Sequence, residues 1–138
     1  MKSRIAVGLV LALCGMSSHA ELVVIVNAKN PAANLTPEQV GAMYLGNVTT
    51  FPNGDAISLV DQTAQGGIRE EFYQKATGRS LAQVKATWAR ITFTGKAAPP
   101  KEMKNDSDVK ALVASDVKAI GYVDASTVDA SVKIVLKL

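Results

Sequence analysis

Leu22-Val-Val-Ile-Val26 is the segment that most restricts the fold. Five aliphatic residues in unbroken succession leave no polar face, so a strand made of them is buried on both sides. A sheet containing such a strand needs structure packed over each face.

The rest of the chain offers helices for that purpose. Leu35-Thr36-Pro37-Glu38-Gln39 reads as a helix start. Thr36 caps the free amides, Pro37 suits the first helical position, and Gln39 completes a capping box. Val40, Met43 and Tyr44 then recur at helical spacing, and Gly46 suits a left-handed stop, so a helix is predicted over 37–45. Phe51 to Asp55 is a turn and Ile57 to Val60 a short strand. A polar loop, 61–67, leads into a helix with Ile68, Phe72 and Ala76 on one face, ended by Gly78. Ser80 to Gln83 is a second capping box. Leu81, Val84, Trp88 and Ile91 make an apolar stripe for a helix over 81–91. Phe93-Thr-Gly95 runs into Ala97 to Lys101, a loop that Pro99 and Pro100 bar from helix. Asp106 or Ser107 caps a further helix carrying Val109, Leu112 and Val113. Ala119 to Val123 and Val132 to Leu136 close the chain as strands. The first and last strands, both strongly apolar, are expected near the centre of the sheet. Interleaved strands and helices predict an α/β fold.

The N-terminus is read apart from this domain. Met1 to Arg4 is basic, Ile5 to Leu13 is an apolar run, and Ser18-His19-Ala20 places small residues three and one before Glu21. This is the pattern of a cleaved secretory signal over 1–20. The run is far short of the roughly 20 residues that span a bilayer. Cys14 offers a lipoprotein signal as the alternative, against which Leu13 stands where a small residue is usual. The remaining 21–138 form one domain by length.

Cleavage changes the chemistry available. The chain has one His and one Cys, His19 and Cys14, and both leave with the leader. The domain then lacks the commonest general base, the thiolate nucleophile and the usual zinc ligands. Lys2 and Arg4 leave too, so thirteen basic and twelve acidic side chains remain, a net of +1. No Lys/Arg cluster marks a nucleic-acid surface. No cofactor, metal or enzymatic step is expected. Ser107-Asp-Val-Lys110 matches the Ser-x-x-Lys of serine β-lactamases but lacks the companion motifs, so it reads as a helix cap and a solvated lysine. Asp106 and Asp108 read as solvated residues at a helix start, since no calcium-type loop surrounds them.

One joint has chemical promise. The strand over 57–60 passes through a glycine loop into the helix starting at Ile68. A helix start presents free amides and the positive end of a dipole, which attract anions. Gly66 and Gly67 allow close approach to the backbone. Arg69 adds a charged donor, and Gln62, Thr63 and Gln65 add neutral ones. Asp61, just before the loop, is placed to orient it, and would also repel an anion. The plain alternative is a strand–loop–helix joint that binds nothing. Tyr44 and Trp88 lie on apolar helix faces and are expected in the core, whereas Phe51, beside Pro52, is the aromatic expected at the surface. Lys96 to Lys104 is either a flap or a long connection.

Three motifs together resemble a known family. Leu45-Gly46 after a helix, Gln65-Gly-Gly-Ile-Arg-Glu-Glu-Phe72, and Ile120-Gly-Tyr-Val123 are similar to motifs of the periplasmic phosphate-binding proteins of ABC transporters. That family carries Gly-Ser-Gly-Thr-Arg-Glu-x-Phe at a helix start, a Tyr-x-Gly or Phe-x-Gly after an earlier helix, and a Gly-Ile-Gly-Tyr-like strand near the end. The segment from Trp88 to Gly95 also resembles small exported relatives. The resemblance implies a single lobe of a type II periplasmic binding protein, with a mixed central sheet flanked by helices. Leu22–Val26 and Val132–Leu136 resemble the hinge-side segments. It implies a periplasmic solute-binding domain holding phosphate or another small oxyanion at Gln62, Thr63, Gln65, Gly66, Gly67, Ile68 and Arg69. A membrane transporter or a sensor would be its partner, and a homo-oligomer or a second protein would complete the cleft. Two departures weaken the site: the facing lobe is missing, and Gly66 and Ile68 stand where the family has Ser and Thr. Each charged hydrogen bond is worth roughly 1.5–3 kcal/mol, so affinity should fall by orders of magnitude. The alternative is a periplasmic interaction or sensing module that kept the lobe fold and lost the ligand.

Overall fold

A computed structural model of the chain describes residues 21–63 and 67–138. The expected leader 1–20, with Cys14, and two candidate ligands, Gln65 and Gly66, lie outside them. The elements run β1 (Leu22–Asn27), α1 (Pro37–Tyr44), β2 (Ser58–Gln62), α2 (Ile68–Thr77), α3 (Leu81–Thr94), β3 (Lys101–Met103), α4 (Asp106–Ser115), β4 (Ala119–Asp124) and β5 (Val132–Lys137), with a short 3-10 turn over Ala125–Thr127.

The strands form one five-stranded sheet in the order β3-β2-β4-β1-β5. β2 is parallel to β3 and β4, and β1 is antiparallel to β4 and β5, so the sheet is mixed. Strand alternation divides β1 between two cores. Leu22, Val24 and Val26 pack with Val40, Tyr44, Phe72, Val84 and Trp88, from the three helices α1–α3. Val23 and Ile25 pack with Val109 and Val113 of α4 on the opposite face. This is why the run over 22–26 is apolar at every position.

Both expected capping boxes form. The Thr36 hydroxyl accepts from Gln39 N at 3.1 Å while Thr36 N donates to the Gln39 side chain at 2.9 Å. Ser80 and Gln83 repeat the pair at 3.2 and 3.0 Å. Gly46 takes φ +75° after α1.

Several expectations are corrected. β5 lies at an edge and not in the centre; the backbone amide of Leu35 donates to Val135 O at 2.9 Å and covers part of that edge. α3 runs on to Thr94, since nothing breaks it before Gly95 at φ +70°. Lys101–Met103, read as loop, adds an edge strand beside β2. Asn105, not Asp106 or Ser107, caps α4 by accepting from Asp108 N at 2.9 Å. Lys110, read as solvated, donates to Asp129 at 2.8 Å. Phe51 is buried, because its turn folds back through the Thr50–Ala56 bridge, while Phe93 is the exposed aromatic.

Gly41 sets the spacing of α1 and α2. A Cβ there would collide with the Ala76 backbone oxygen. Gly41→Ala gains helix propensity of about 1 kcal/mol, but the neighbour is backbone and cannot swing aside. The expected result is a net loss of about 1–3 kcal/mol, read as a lower urea midpoint with an unchanged slope.

Candidate functional site

Asp61 and Gln62 end β2 and point to opposite faces of the sheet. Asp61 turns toward α2 and is almost fully buried. Its carboxylate accepts from Tyr73 Oη at 2.5 Å, from Tyr122 Oη, and from Gln62 N at 2.8 Å. Gln62 turns the other way. Its side-chain amide donates to Asp106 Oδ1 at 2.7 Å and to the Tyr122 carbonyl at 2.8 Å. Asp106 thus ties β2 to the start of α4; it is half-buried and bonded, where the sequence suggested a solvated residue.

Arg69 stands in the first turn of α2 and is 8% exposed. Its Nη2 lies 3.3 Å from Asp61 Oδ2 and 2.9 Å from Glu102 Oε1 on β3. Burial pulls the guanidinium pKa down, but the Asp61 and Glu102 charges outweigh it and leave the pKa raised. Arg69 Nε is buried and finds no acceptor among the described residues. Two carboxylates around one guanidinium leave this cluster net negative.

The entry to α2 is open in a specific sense. Gly67, the residue before the helix, is left-handed at φ +76°, and among the described residues no side chain caps the first turn. The amide N of Thr63 donates to Met103 O at 2.9 Å, and its hydroxyl makes only a long 3.5 Å contact with Lys104 O. Of the seven expected ligands, Thr63, Gly67 and Ile68 therefore flank the open helix start, whereas Gln62 and Arg69 are bonded within the protein.

The sequence reading did not find Tyr73, Tyr122 and Glu102 at this place, and it read Asp61 as orienting the glycine loop or repelling an anion, not as a buried structural carboxylate. The available signal was an acid directly after an apolar strand with an arginine eight residues on. Such a carboxylate is buried only when paired.

A cleft of about 580 Å³ opens beside α3, with Asp61, Arg69 and Tyr73 among its lining. A second cleft, of about 660 Å³, lies across Trp88 and Pro99 and includes none of the described residues of 61–69. Among the described residues no group of three potential ligands is placed to hold a metal ion. No described helix is long and apolar enough to cross a membrane.

The mixed sheet with three helices on one face and one on the other has the fold of a single lobe of a type II periplasmic binding protein. No protein-family model matches the chain, and no curated protein matches it. Solved structures do. A Clostridium perfringens protein assigned to phosphate ABC transporter substrate binding, with bound phosphate, aligns at TM-score 0.68 and 24% identity. An ABC-type phosphate transport receptor from Vibrio cholerae aligns at 0.59 and 25%, and PstS from Borrelia burgdorferi at 0.61 and 11%. Each alignment covers 83% of this chain but 44%, 45% and 46% of the other, so the chain spans less than half of their length.

Proposed function

We propose that this chain is an exported, non-enzymatic solute-binding domain that takes phosphate or another small oxyanion at the entry to α2. The observation that carries the reading is the uncapped first turn behind left-handed Gly67, next to a buried Arg69 whose Nε lacks an acceptor among the described residues. A tetrahedral oxyanion supplies acceptors for such amides, and the helix dipole favours its charge. Thr63, Gly67 and Ile68 flank the approach, Gln62 and Arg69 hold it in shape, and Gln65 and Gly66 are proposed as ligands from the sequence alone. The chemistry is hydrogen bonding, with no covalent step. The fold shared with phosphate-transport substrate-binding proteins supports the choice of phosphate. The lack of His and Cys beyond residue 20 supports a role without catalysis. The leader pattern over 1–20 supports a periplasmic location, with a membrane transporter or a sensor as partner.

Affinity is expected in the millimolar range, on the order of 4 kcal/mol. The Asp61–Arg69–Glu102 cluster is net negative, and one lobe offers only half of a clamp. Calorimetric titration with phosphate, sulfate and carboxylates measures this directly. The expected result is weak saturable heat with phosphate, with amide resonances of Gly67, Ile68 and Arg69 moving in the same range. No heat and no thermal shift at millimolar phosphate would refute the reading.

The second reading, a module that kept the fold and lost the ligand, is favoured by one specific fact. The Gln62 amide and Arg69 Nη2 are already bonded to Asp106, Tyr122, Asp61 and Glu102. A stoichiometric protein partner with no anion at Gly67 would support it.

A further inference from the structure

We propose that two copies of this chain pair through the cleft beside α3, each placing its Phe93 into the other's hollow. The inference stands apart from anion binding. Of the seven aromatic residues, six are buried, whereas Phe93 is 93% exposed. A lone exposed apolar residue needs no explanation. Phe93 is not alone, because it stands at the lip of the 580 Å³ cleft, whose walls include Val84, Trp88 and Ala89 of α3 and Pro99 and Pro100 after it. The cleft is wide enough to receive an aromatic ring, and the two prolines lose no side-chain freedom on closing over it.

A second copy fits this patch better than a foreign surface does. Knob and hollow lie side by side on one face, and a two-fold axis needs such a self-complementary face. The cleft also carries two exposed charges of opposite sign, Lys85 and Glu102. Lys85 has no carboxylate within ion-pair distance among the described residues, while Glu102 is half exposed at its pair with Arg69. In the proposed two-fold pairing Lys85 of one copy would face Glu102 of the other, twice per dimer. Aromatic anchors seated in a partner's pocket dominate interfaces of this kind, with rim charges contributing less.

Sedimentation equilibrium of the full chain, from micromolar to millimolar concentration, tests the pairing. The expected result is a concentration-dependent dimer. Phe93→Asp should raise the dimer dissociation constant by on the order of a hundredfold or more, because each dimer loses two anchors. At concentrations low enough that the unsubstituted protein is also monomeric, the unfolding midpoint should stay unchanged, since Phe93 touches solvent on nearly all sides of the monomer. Lys85→Glu, also at an exposed position, should weaken the dimer by about tenfold. A monomer at millimolar concentration, or a dimer indifferent to both substitutions, would overturn the proposal. A monomer that instead captures a different protein through Phe93 would overturn it as well and assign the cleft to that partner.

Discussion

Above a pH of about 10 this protein should unfold in one cooperative step, with tyrosinate absorbance appearing only as the circular dichroism is lost. Its three tyrosines, Tyr44, Tyr73 and Tyr122, are all fully buried. Burial is the main force that raises the pKa of each, and the neighbouring Asp61 carboxylate adds to it. In the unfolded chain a tyrosine titrates near about 10. Below that pH both states hold the three protons, and the tyrosines leave stability independent of pH. Above it the unfolded chain releases protons that the folded chain retains. Stability is then lost as the pH rises toward the raised folded values. Each tyrosine contributes a slope of about 1.4 kcal/mol per pH unit, so three give about 4. Domains of this size have roughly 5–15 kcal/mol in total, so the fold should fail within a few pH units. Tyrosinate forming near pH 10 with the circular dichroism intact would contradict the packing described for Asp61, Tyr73 and Tyr122.

Asp61→Ala should lower stability by about 3–5 kcal/mol. Four donors converge on this buried carboxylate: the Tyr73 and Tyr122 hydroxyls, Gln62 N and Arg69 Nη2. Truncation leaves those hydroxyls buried without their acceptor and removes the more buried of the two counter-ions of Arg69. The stacked pair Phe72 and Tyr122, with ring centroids 3.9 Å apart, would settle toward the resulting cavity but cannot satisfy a hydroxyl. Asp61→Asn keeps one acceptor oxygen and should lose less, about 2 kcal/mol. Urea unfolding of both variants gives the comparison. A loss below about 1 kcal/mol for the alanine variant would mean that the network adds little to the fold.

These two expectations bear on the candidate site, because the network that holds the sheet together also holds Arg69. Asp61 anchors the guanidinium from within and Glu102 holds it from the rim. The residue with the strongest charge for an oxyanion is thus first a structural cation. The proposed oxyanion site therefore rests, among the described residues, chiefly on the backbone at the start of α2, where Gly67 adopts φ +76°.

Much of the architecture was legible locally. The two capping boxes, Gly46 and the run over 22–26 are patterns confined to a few residues, and local hydrogen bonding and alternation decide them. The start of α2 was legible for the same reason. Glu102 was not: it sits in a three-residue strand that exists only because β2 offers it an edge, and it meets Arg69 from thirty-three positions away. The burial of Phe51 and the exposure of Phe93 were not legible for a similar reason. A turn beside Pro52 suggests exposure, yet the turn folds back onto the core, while the last turn of α3 projects beyond it.

Local pattern in the sequence was enough for the helices, most of the strands, the α/β class and the lack of His and Cys beyond residue 20. Each of those follows from composition or from contacts a few residues apart. Only the tertiary structure decided the order of strands, the edge position of β5, and the burial of Asp61 among Tyr73, Tyr122 and Arg69. Those depend on which distant segments pack together, where a charge is stable only if the partners that reach it come from other elements of the fold.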